Sequence, residues 1–230
     1  MKKQIRVLHL FADLLDLYGD GGNLMVLSHV LKMMGHDCVI DRSSLYDSPD
    51  FEAYDLIYCG PGKLKNIIAA SIEFTKQKEG FHKAMEKDIP ILFTGNAMML
   101  LANSFSDVNN NMYNSSGLLD IRMKDVNAIT IKDVVSRCRL TEGDVIGFIN
   151  RTYEITENNE NHPLFEVKKG LKEKTEGFLI GSMLVTMQLG PLLVRNPELL
   201  NWFTQKLAGE NAPISKNAGL VHDLTLKELL

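Results

Sequence analysis

The chain has 230 residues, of which 45% are hydrophobic and 23% are charged, and its formal net charge is −4. This balance is that of an ordinary globular protein, and a mildly acidic chain gives no electrostatic reason to expect nucleic acid as a partner. No apolar run is long enough to span a membrane, and the basic-then-apolar start fits a first strand better than a signal peptide. We therefore expect a cytoplasmic protein without membrane insertion.

Strand and helix signals alternate in the first half of the chain. Apolar, β-branched runs predict strands, and apolar residues at helical spacing predict helices. Strands are predicted at residues 5–11, 37–41, 54–59 and 90–94, and helices at 23–34, 67–87 (one or two) and 97–103. This order implies a mostly parallel central sheet flanked by helices.

The second half has a different pattern, typical of more antiparallel strands. Strands are predicted at residues 128–135, 145–150 and 177–188, a surface hairpin at 158–162, a helix at 196–206 and a short final helix at 224–230. Asn196 and Pro197 have the residue types preferred at the N-cap and first position of a helix. Because no linker or repeat interrupts the chain, residues 1–230 are expected to form one domain.

Neither a metal site nor a cofactor is expected. The three cysteines are odd in number and lack the Cys-x-x-Cys spacing of zinc sites and redox motifs. The six histidines show no metal-ligand spacing. The glycine-rich loop at residues 18–23 matches neither nucleotide-binding fingerprint, so a phosphate site there is weakly supported.

Three loops follow the carboxyl ends of the predicted parallel strands, where sites form in such sheets: residues 16–23, 60–63 and 94–97. Gly95 lies at a strand-to-helix turn, the place where a nucleophile elbow carries its serine or cysteine at positive φ. No nucleophile occupies the turn here, so an ordinary turn is the simpler local interpretation. Gly60-Pro61-Gly62 has the composition of a loop that aims backbone N–H groups at an oxyanion, although such turns are common.

Taken together, these segments resemble class I glutamine amidotransferases of the cobyric-acid-synthase-like branch, and most closely the amidotransferase subunits of lipid II isoglutaminyl synthase. Residues 9–27 (HLFADLLDLYGDGGNLMVL) resemble the opening strand and loop of that family. Residues 185–203 (VTMQLGPLLVRNPELLNWF) resemble the catalytic-histidine strand and the closing helix. Intermediate segments are similar too: residues 54–63 (YDLIYCGPGK), 116–120 (SGLLD) and 147–150 (GFIN). The resemblance implies a flavodoxin-like amidotransferase fold.

The departures from the family pattern fall on the catalytic positions. Alignment from Pro90 without a gap puts Gly95 on the nucleophilic cysteine, while the alternative register puts Thr94 there. Leu189 aligns with the catalytic histidine of the family. The positions of the degenerate site are therefore Gly95, Leu189, Asn96, Gly60, Pro61 and Gly62, and none of them is expected to be catalytic.

Four further positions complete this comparison with the family. Pro61 replaces a glycine, Lys63 stands where glutamine is usual, and Arg151 stands where a histidine usually follows the segment at 147–150. The family has an arginine that holds glutamine, and in the alignment its position falls near Ile129 of this chain. Glutamine hydrolysis passes through a thioester and needs a thiolate and a base, which glycine and leucine cannot supply.

The resemblance therefore implies a subunit without glutaminase activity, which docks, stabilises or regulates a Mur-ligase-like ATP-dependent partner. A small molecule in the altered pocket is a further expectation. One alternative is an active glutaminase, supplying ammonia for lipid II or cobyric acid amidation, in which Cys59 or Thr94 substitutes as the nucleophile. Another is a different enzyme that uses Asp13, Asp16 or Asp20 as acid or base, against their simpler role in turns and caps.

Overall fold

A computed structural model describes residues 2–230. Strands and helices alternate in the first half, because short apolar runs that become buried strands are separated by amphipathic helices. In chain order they are β1 (Gln4–His9), α1 (Gly22–Met33), β2 (Asp37–Arg42), β3 (Leu56–Cys59), α2 (Leu64–Lys76), α3 (Lys78–Glu86) and β4 (Ile91–Thr94). Short 3₁₀ helices lie at Leu17–Gly19, Phe51–Ala53 and Gly95–Leu100.

The second half contains most of the strands. They are β5 (Ser104–Ser106), β6 (Met112–Asn114), β7 (Ile121–Cys138), β8 (Asp144–Asn158), β9 (Pro163–Lys169), β10 (Thr175–Ile180) and β11 (Met183–Thr186). Three helices close the chain, α4 (Leu192–Arg195), α5 (Pro197–Ala208) and α6 (Lys216–Leu229).

All eleven strands belong to one sheet with the order β2-β1-β3-β4-β11-β10-β9-β7-β5-β6, and β8 pairs with β7 beside this path. The five strands from β2 to β11 are parallel, whereas β11, β10, β9 and β7 pair antiparallel in turn. The predicted fold class, a parallel sheet flanked by helices with a more antiparallel C-terminal half, is confirmed.

Two apolar clusters cover the two faces of the sheet. Phe74, Phe81 and Phe93 pack edge to face in one cluster, where α2 and α3 meet β4. Leu31 of α1 and Phe203 of α5 belong to the other cluster. Because β3 and β4 are buried at every residue, these strands read as continuous apolar runs instead of alternating ones.

The two most family-like segments of the sequence meet in the structure. Asn23, at the start of α1, donates from its side chain to the Asp20 carbonyl at 2.8 Å. Its side-chain oxygen accepts from the Leu193 backbone N–H at 2.8 Å. The opening loop and the closing segment are thus joined through one buried amide, which fixes both beside the carboxyl ends of the parallel strands.

Several predicted elements differ in type or extent. The strand expected at 177–188 is two antiparallel strands, β10 and β11, joined by a turn at Gly181 and Ser182. The helix expected at 97–103 is a 3₁₀ helix ending at Leu100, because the Leu100 and Leu101 carbonyls accept from Ser116 and Leu119 and not from a further helical turn. Residues 158–162 do not form a hairpin, since β8 pairs with β7 while β9 pairs with β10 and β7.

The final helix is longer than the predicted segment at 224–230. It begins at Lys216, where the Ser215 side chain caps it by accepting from the Ala218 N–H at 3.1 Å. Asn196 does precede α5, but its side chain bonds to both the N–H and the carbonyl of Ile146 instead of capping the helix. No helix in residues 2–230 combines the length and apolar composition needed to cross a membrane.

Candidate functional site

Gly95 opens the sharp turn after β4 and has φ +60°, the left-handed conformation that glycine adopts without strain. A Cβ atom at this position would lie 2.8 Å from Pro61 Cβ and 2.9 Å from Leu189 Cδ2. Both distances are well below a normal van der Waals contact. The turn therefore has the elbow conformation that the sequence predicts. Pro61 and Leu189 occupy the space that a side chain at residue 95 would need.

Leu189 reaches this point from the segment after β11. Its backbone pairs with Phe148 of β8, donating at 2.8 Å and accepting at 3.1 Å. The side chain is 3% exposed and contacts the elbow. The structure thus brings together Gly95, Pro61 and Leu189, three positions that are far apart in sequence.

The loop Gly60-Pro61-Gly62 is held close to the elbow by Asn96. The Asn96 side chain accepts from the Gly62 N–H at 2.9 Å and donates to the Gly62 carbonyl at 2.7 Å. Pro61 has no N–H, and its carbonyl accepts from the Leu17 N–H at 2.9 Å. Two of the three loop positions therefore have no free N–H to offer to an oxyanion.

A cavity of about 280 Å³ opens beside these residues. Its apolar part includes Leu17, Met123, Ile129, Met187 and Leu189. Its polar part includes Lys63, Asn150, Arg151, Thr152 and Tyr153. Ile129 lies on an irregular stretch of β7, where the register shifts between Asp125 and Thr130, and its side chain is 69% exposed at the mouth.

Arg151 lines this cavity, the front cavity. It also lines a second cavity of about 400 Å³, the back cavity. Its side chain is only 12% exposed. The guanidinium forms an ion pair with Glu173 and donates to Met187 Sδ at 3.1 Å. Arg151 and Met187 line both cavities and stand between them.

A buried hydrogen-bond network lies directly under the elbow, at Thr94. The Asp20 carboxylate, 1% exposed, accepts from Tyr58 Oη at 2.8 Å and from Thr94 Oγ1. Burial raises the pKa of Asp20, although the bonds from Thr94 and Tyr58 act in the opposite direction. His9 packs against the Tyr58 ring with centroids 5.0 Å apart, and burial lowers the pKa of His9.

A second buried carboxylate, Glu176, organises the chain before Leu189. It accepts from Thr186 Oγ1 at 2.6 Å, the Met187 N–H at 2.7 Å and Gln188 Nε2 at 3.1 Å. Burial raises the pKa of Glu176, against these bonds and the positive charge of Arg151. Glu176 was not predicted as a site residue; its one signal in the sequence is a single carboxylate at the edge of an apolar, strand-like run.

The substitute nucleophiles are buried away from the front cavity. Cys59 is fully buried in the apolar cluster around Phe93, and burial raises the pKa of its thiol far above the ordinary value. Thr94 is 0% exposed. The structure places the Asp20 carboxylate against the Thr94 hydroxyl, which donates to it. Of residues 2–230, those lining the front cavity include neither Cys59 nor Thr94.

The three aspartates of the opening loop have different surroundings. Asp16 accepts from the Gly21 N–H at 2.8 Å and lies 3.5 Å from Arg42, which is turn chemistry. Asp20 is buried in its network, and Asp13 is exposed. Among residues 2–230, no group of three or more His, Cys, Asp or Glu side chains is arranged to hold a metal ion.

Two curated relatives are similar to this chain over most of its length. Both are named lipid II isoglutaminyl synthase (glutamine-hydrolyzing) subunit GatD. The Streptococcus pneumoniae protein is 24% identical over 201 residues, 85% of this chain and 77% of the relative. The Staphylococcus aureus protein is 24% identical over 206 residues, 88% of this chain and 84% of the relative. No family profile matches the chain.

Solved structures share the fold at low sequence identity. A glutamine amidotransferase crystal structure has a TM-score of 0.58 at 14% identity, covering 87% of this chain and 98% of that one. The glutaminase domain of Trypanosoma brucei CTPS, solved with bound acivicin, has a TM-score of 0.55 at 12% identity, covering 92% and 95%. The relatives and the shared fold together support a glutamine amidotransferase-like family.

Proposed function

We propose that this chain is a non-catalytic, glutamine amidotransferase-like subunit that binds and supports a Mur-ligase-like, ATP-dependent amidating enzyme. The observation that carries the proposal is the contact of Gly95, Pro61 and Leu189. The Pro61 and Leu189 side chains fill the space around Gly95, where the family resemblance puts a cysteine, a histidine and a free oxyanion loop.

The chemistry of glutamine hydrolysis supports the absence of turnover. The thioester route needs a thiolate and a base within hydrogen-bond reach of each other. Gly95 has no side chain and Leu189 cannot carry a proton, while the Gly62 N–H already donates to the Asn96 side chain. Loss of one member of such a unit typically lowers the rate by about 10⁴–10⁶. We expect this chain to have lost two.

The relatives suggest the setting in which the subunit works. Both are named as subunits of a lipid II isoglutaminyl synthase, so cell-wall precursor amidation in the cytoplasm is the proposed context. Cobyric acid amidation uses a similar amidotransferase frame and is the second context. In either, the partner performs the ATP-dependent step, and this chain contributes a docking surface.

An active glutaminase is the alternative function, favoured by the words glutamine-hydrolyzing in the names of both relatives. It needs a substitute nucleophile. Cys59 is enclosed by apolar side chains, and the Thr94 hydroxyl donates to buried Asp20. Cys59→Ala tests the first of these, since an enzyme that depends on that thiol would lose its glutamine turnover.

Ammonia release from glutamine decides between the two functions. The purified chain is assayed alone and with the Mur-ligase-like protein of the same genome, beside the Streptococcus pneumoniae relative with its own partner as positive control. A glutamine-directed alkylating agent and intact-mass measurement provide an independent readout. We expect no ammonia above buffer and no adduct; release that survives repurification, with an adduct, would refute the proposal.

The supporting role is tested by supplying the ligase with ammonium instead of glutamine. Adding the chain should raise the stability or the ammonium-dependent rate of the ligase, while glutamine remains unused. Size-exclusion chromatography with light scattering then measures the complex directly. A ligase that neither binds the chain nor responds to it would contradict the proposed partnership.

A further inference from the structure

The walls of the front cavity and the back cavity have opposite charges. The back cavity is lined by four glutamates, Glu154, Glu160, Glu173 and Glu176. Among the described residues, 2–230, no aspartate or glutamate lines the front cavity, whereas Lys63 and Arg151 do. The front cavity is therefore the side of the wall that attracts an anion.

The two cations of the front cavity are not equivalent. Arg151 is neutralised by its ion pair with Glu173, on the back side of the wall. Lysine ion pairs in residues 2–230 involve Lys2, Lys76, Lys87, Lys168 and Lys206. Lys63 therefore keeps an unpaired charge, and the front cavity carries one uncompensated positive charge.

The rest of the front cavity does not suit glutamine. The position near which the family places its glutamine-holding arginine is occupied by Ile129 at the mouth. In the described part of the chain, residues 2–230, no side-chain carboxylate lines the front cavity to pair with an α-ammonium group, and Leu189 and Met187 form an apolar wall. An amino acid zwitterion would place its ammonium group there without a carboxylate partner and beside cationic Lys63 and Arg151, which is unfavourable.

We propose that the front cavity binds a small monocarboxylate with an apolar body, its carboxylate at Lys63 and its body against Leu189, Met187 and Ile129. A volume of about 280 Å³ is at the low end for ligand pockets and suits a ligand smaller than a drug molecule. This inference rests on the proposed non-catalytic function, because a working glutaminase would keep this space for glutamine.

Saturation-transfer NMR and calorimetry with 3-phenylpropionate test the assignment, beside the matched amide, 3-phenylpropionamide, and the matched amine, 3-phenylpropylamine. The carboxylate should bind more tightly than the amide, and the amine should bind most weakly. Raising the salt concentration should weaken the binding of the carboxylate but not that of the neutral amide, because salt screens interactions between charges.

Lys63→Met and Lys65→Met form a matched pair of variants. Lys63 lines the front cavity. Lys65 lies two residues later, in the first turn of α2, and is exposed, but it does not line that cavity. Loss of a solvent-exposed ion pair should weaken binding of 3-phenylpropionate to Lys63→Met by about three- to five-fold. Lys65→Met should bind like the unaltered chain.

Ile129→Glu gives a second test, because a carboxylate at the mouth should repel 3-phenylpropionate. Ile72→Glu makes the same change at another exposed position, 55% exposed on α2. Equal binding of acid and amide, no binding of either, or equal loss in both lysine variants would overturn the inference while leaving the non-catalytic function standing. Glutamine turnover by the same preparation would instead refute the proposed function, and this inference with it.

Discussion

Two neighbouring residues at the end of β4 have opposite surroundings. Thr94 belongs to a buried polar network with Asp20 and Tyr58, whereas Gly95 is enclosed by the apolar side chains of Pro61 and Leu189. Buried polar groups without partners are strongly destabilising, so the network under the elbow serves folding whether or not chemistry occurs above it. The stability of the fold and the chemistry of glutamine hydrolysis therefore place separate requirements on these two residues.

The largest expected effect comes from the network. Asp20→Ala leaves two buried hydroxyls, Tyr58 and Thr94, without their shared acceptor and should lower the free energy of unfolding by about 3–4 kcal/mol. Asp20→Asn keeps one acceptor oxygen and should cost about 1 kcal/mol. Urea unfolding measures both. Equal, small losses in the two variants would mean that the network does not support the fold.

The next effect comes from the elbow. Gly95→Ala places a Cβ on a residue with positive φ, and this atom lies closer than van der Waals contact to Pro61 and Leu189. The variant should therefore lower the free energy of unfolding by about 3 kcal/mol. Gly209→Ala is the matched control, because Gly209 has φ +77° with nothing within 4 Å of its virtual Cβ. That variant should lose only about 1 kcal/mol, from backbone strain. Similar losses at both sites would mean that the elbow is not crowded.

A smaller effect depends on pH and concerns Glu176. Because burial raises its pKa in the folded state, the unfolded chain releases this proton first as pH rises. The unaltered chain should therefore lose stability relative to Glu176→Gln as pH rises above the ordinary value of 4.5, up to the raised pKa. Urea unfolding of both proteins from pH 4 to pH 8 follows the difference; a constant difference contradicts it.

The smallest expected effect is on activity. Gly95→Cys introduces a thiol at the elbow, but Leu189 beside it cannot act as a base and Pro61 lies against the new side chain. Ammonia release from glutamine should stay at the buffer level. The triple variant with Pro61→Gly and Leu189→His removes both obstacles and is the informative comparison. Turnover by Gly95→Cys alone would show that the site is intact apart from one residue.

Much of the fold follows from local patterns in the sequence. The apolar runs of β3 and β4 predict buried parallel strands, and the turn at Gly95 predicts positive φ; the structure agrees with both. The 3₁₀ helix after Gly95 could not be predicted, because its end depends on Ser116 and Leu119, which belong to a distant segment.

The candidate site was predictable in part. The sequence identifies Gly95, Pro61 and Leu189 through the family resemblance, but their mutual contact depends on three separate loops. The roles of Asp20 and Glu176 were not foreseen, since hydrogen bonds between residues far apart in sequence leave no local pattern. Whether the site lacks turnover stays a prediction until ammonia release is measured.

The contact of Gly95, Pro61 and Leu189 also constrains how this sequence can change over evolutionary time. A cysteine introduced at residue 95 alone would be strained by Pro61 and Leu189 and would have no base at residue 189. Glycine at residue 61 or a smaller side chain at 189 must come earlier, and neither confers a benefit alone. A single substitution at any of these three positions is therefore not expected to give glutamine hydrolysis, so each residue constrains changes at the other two.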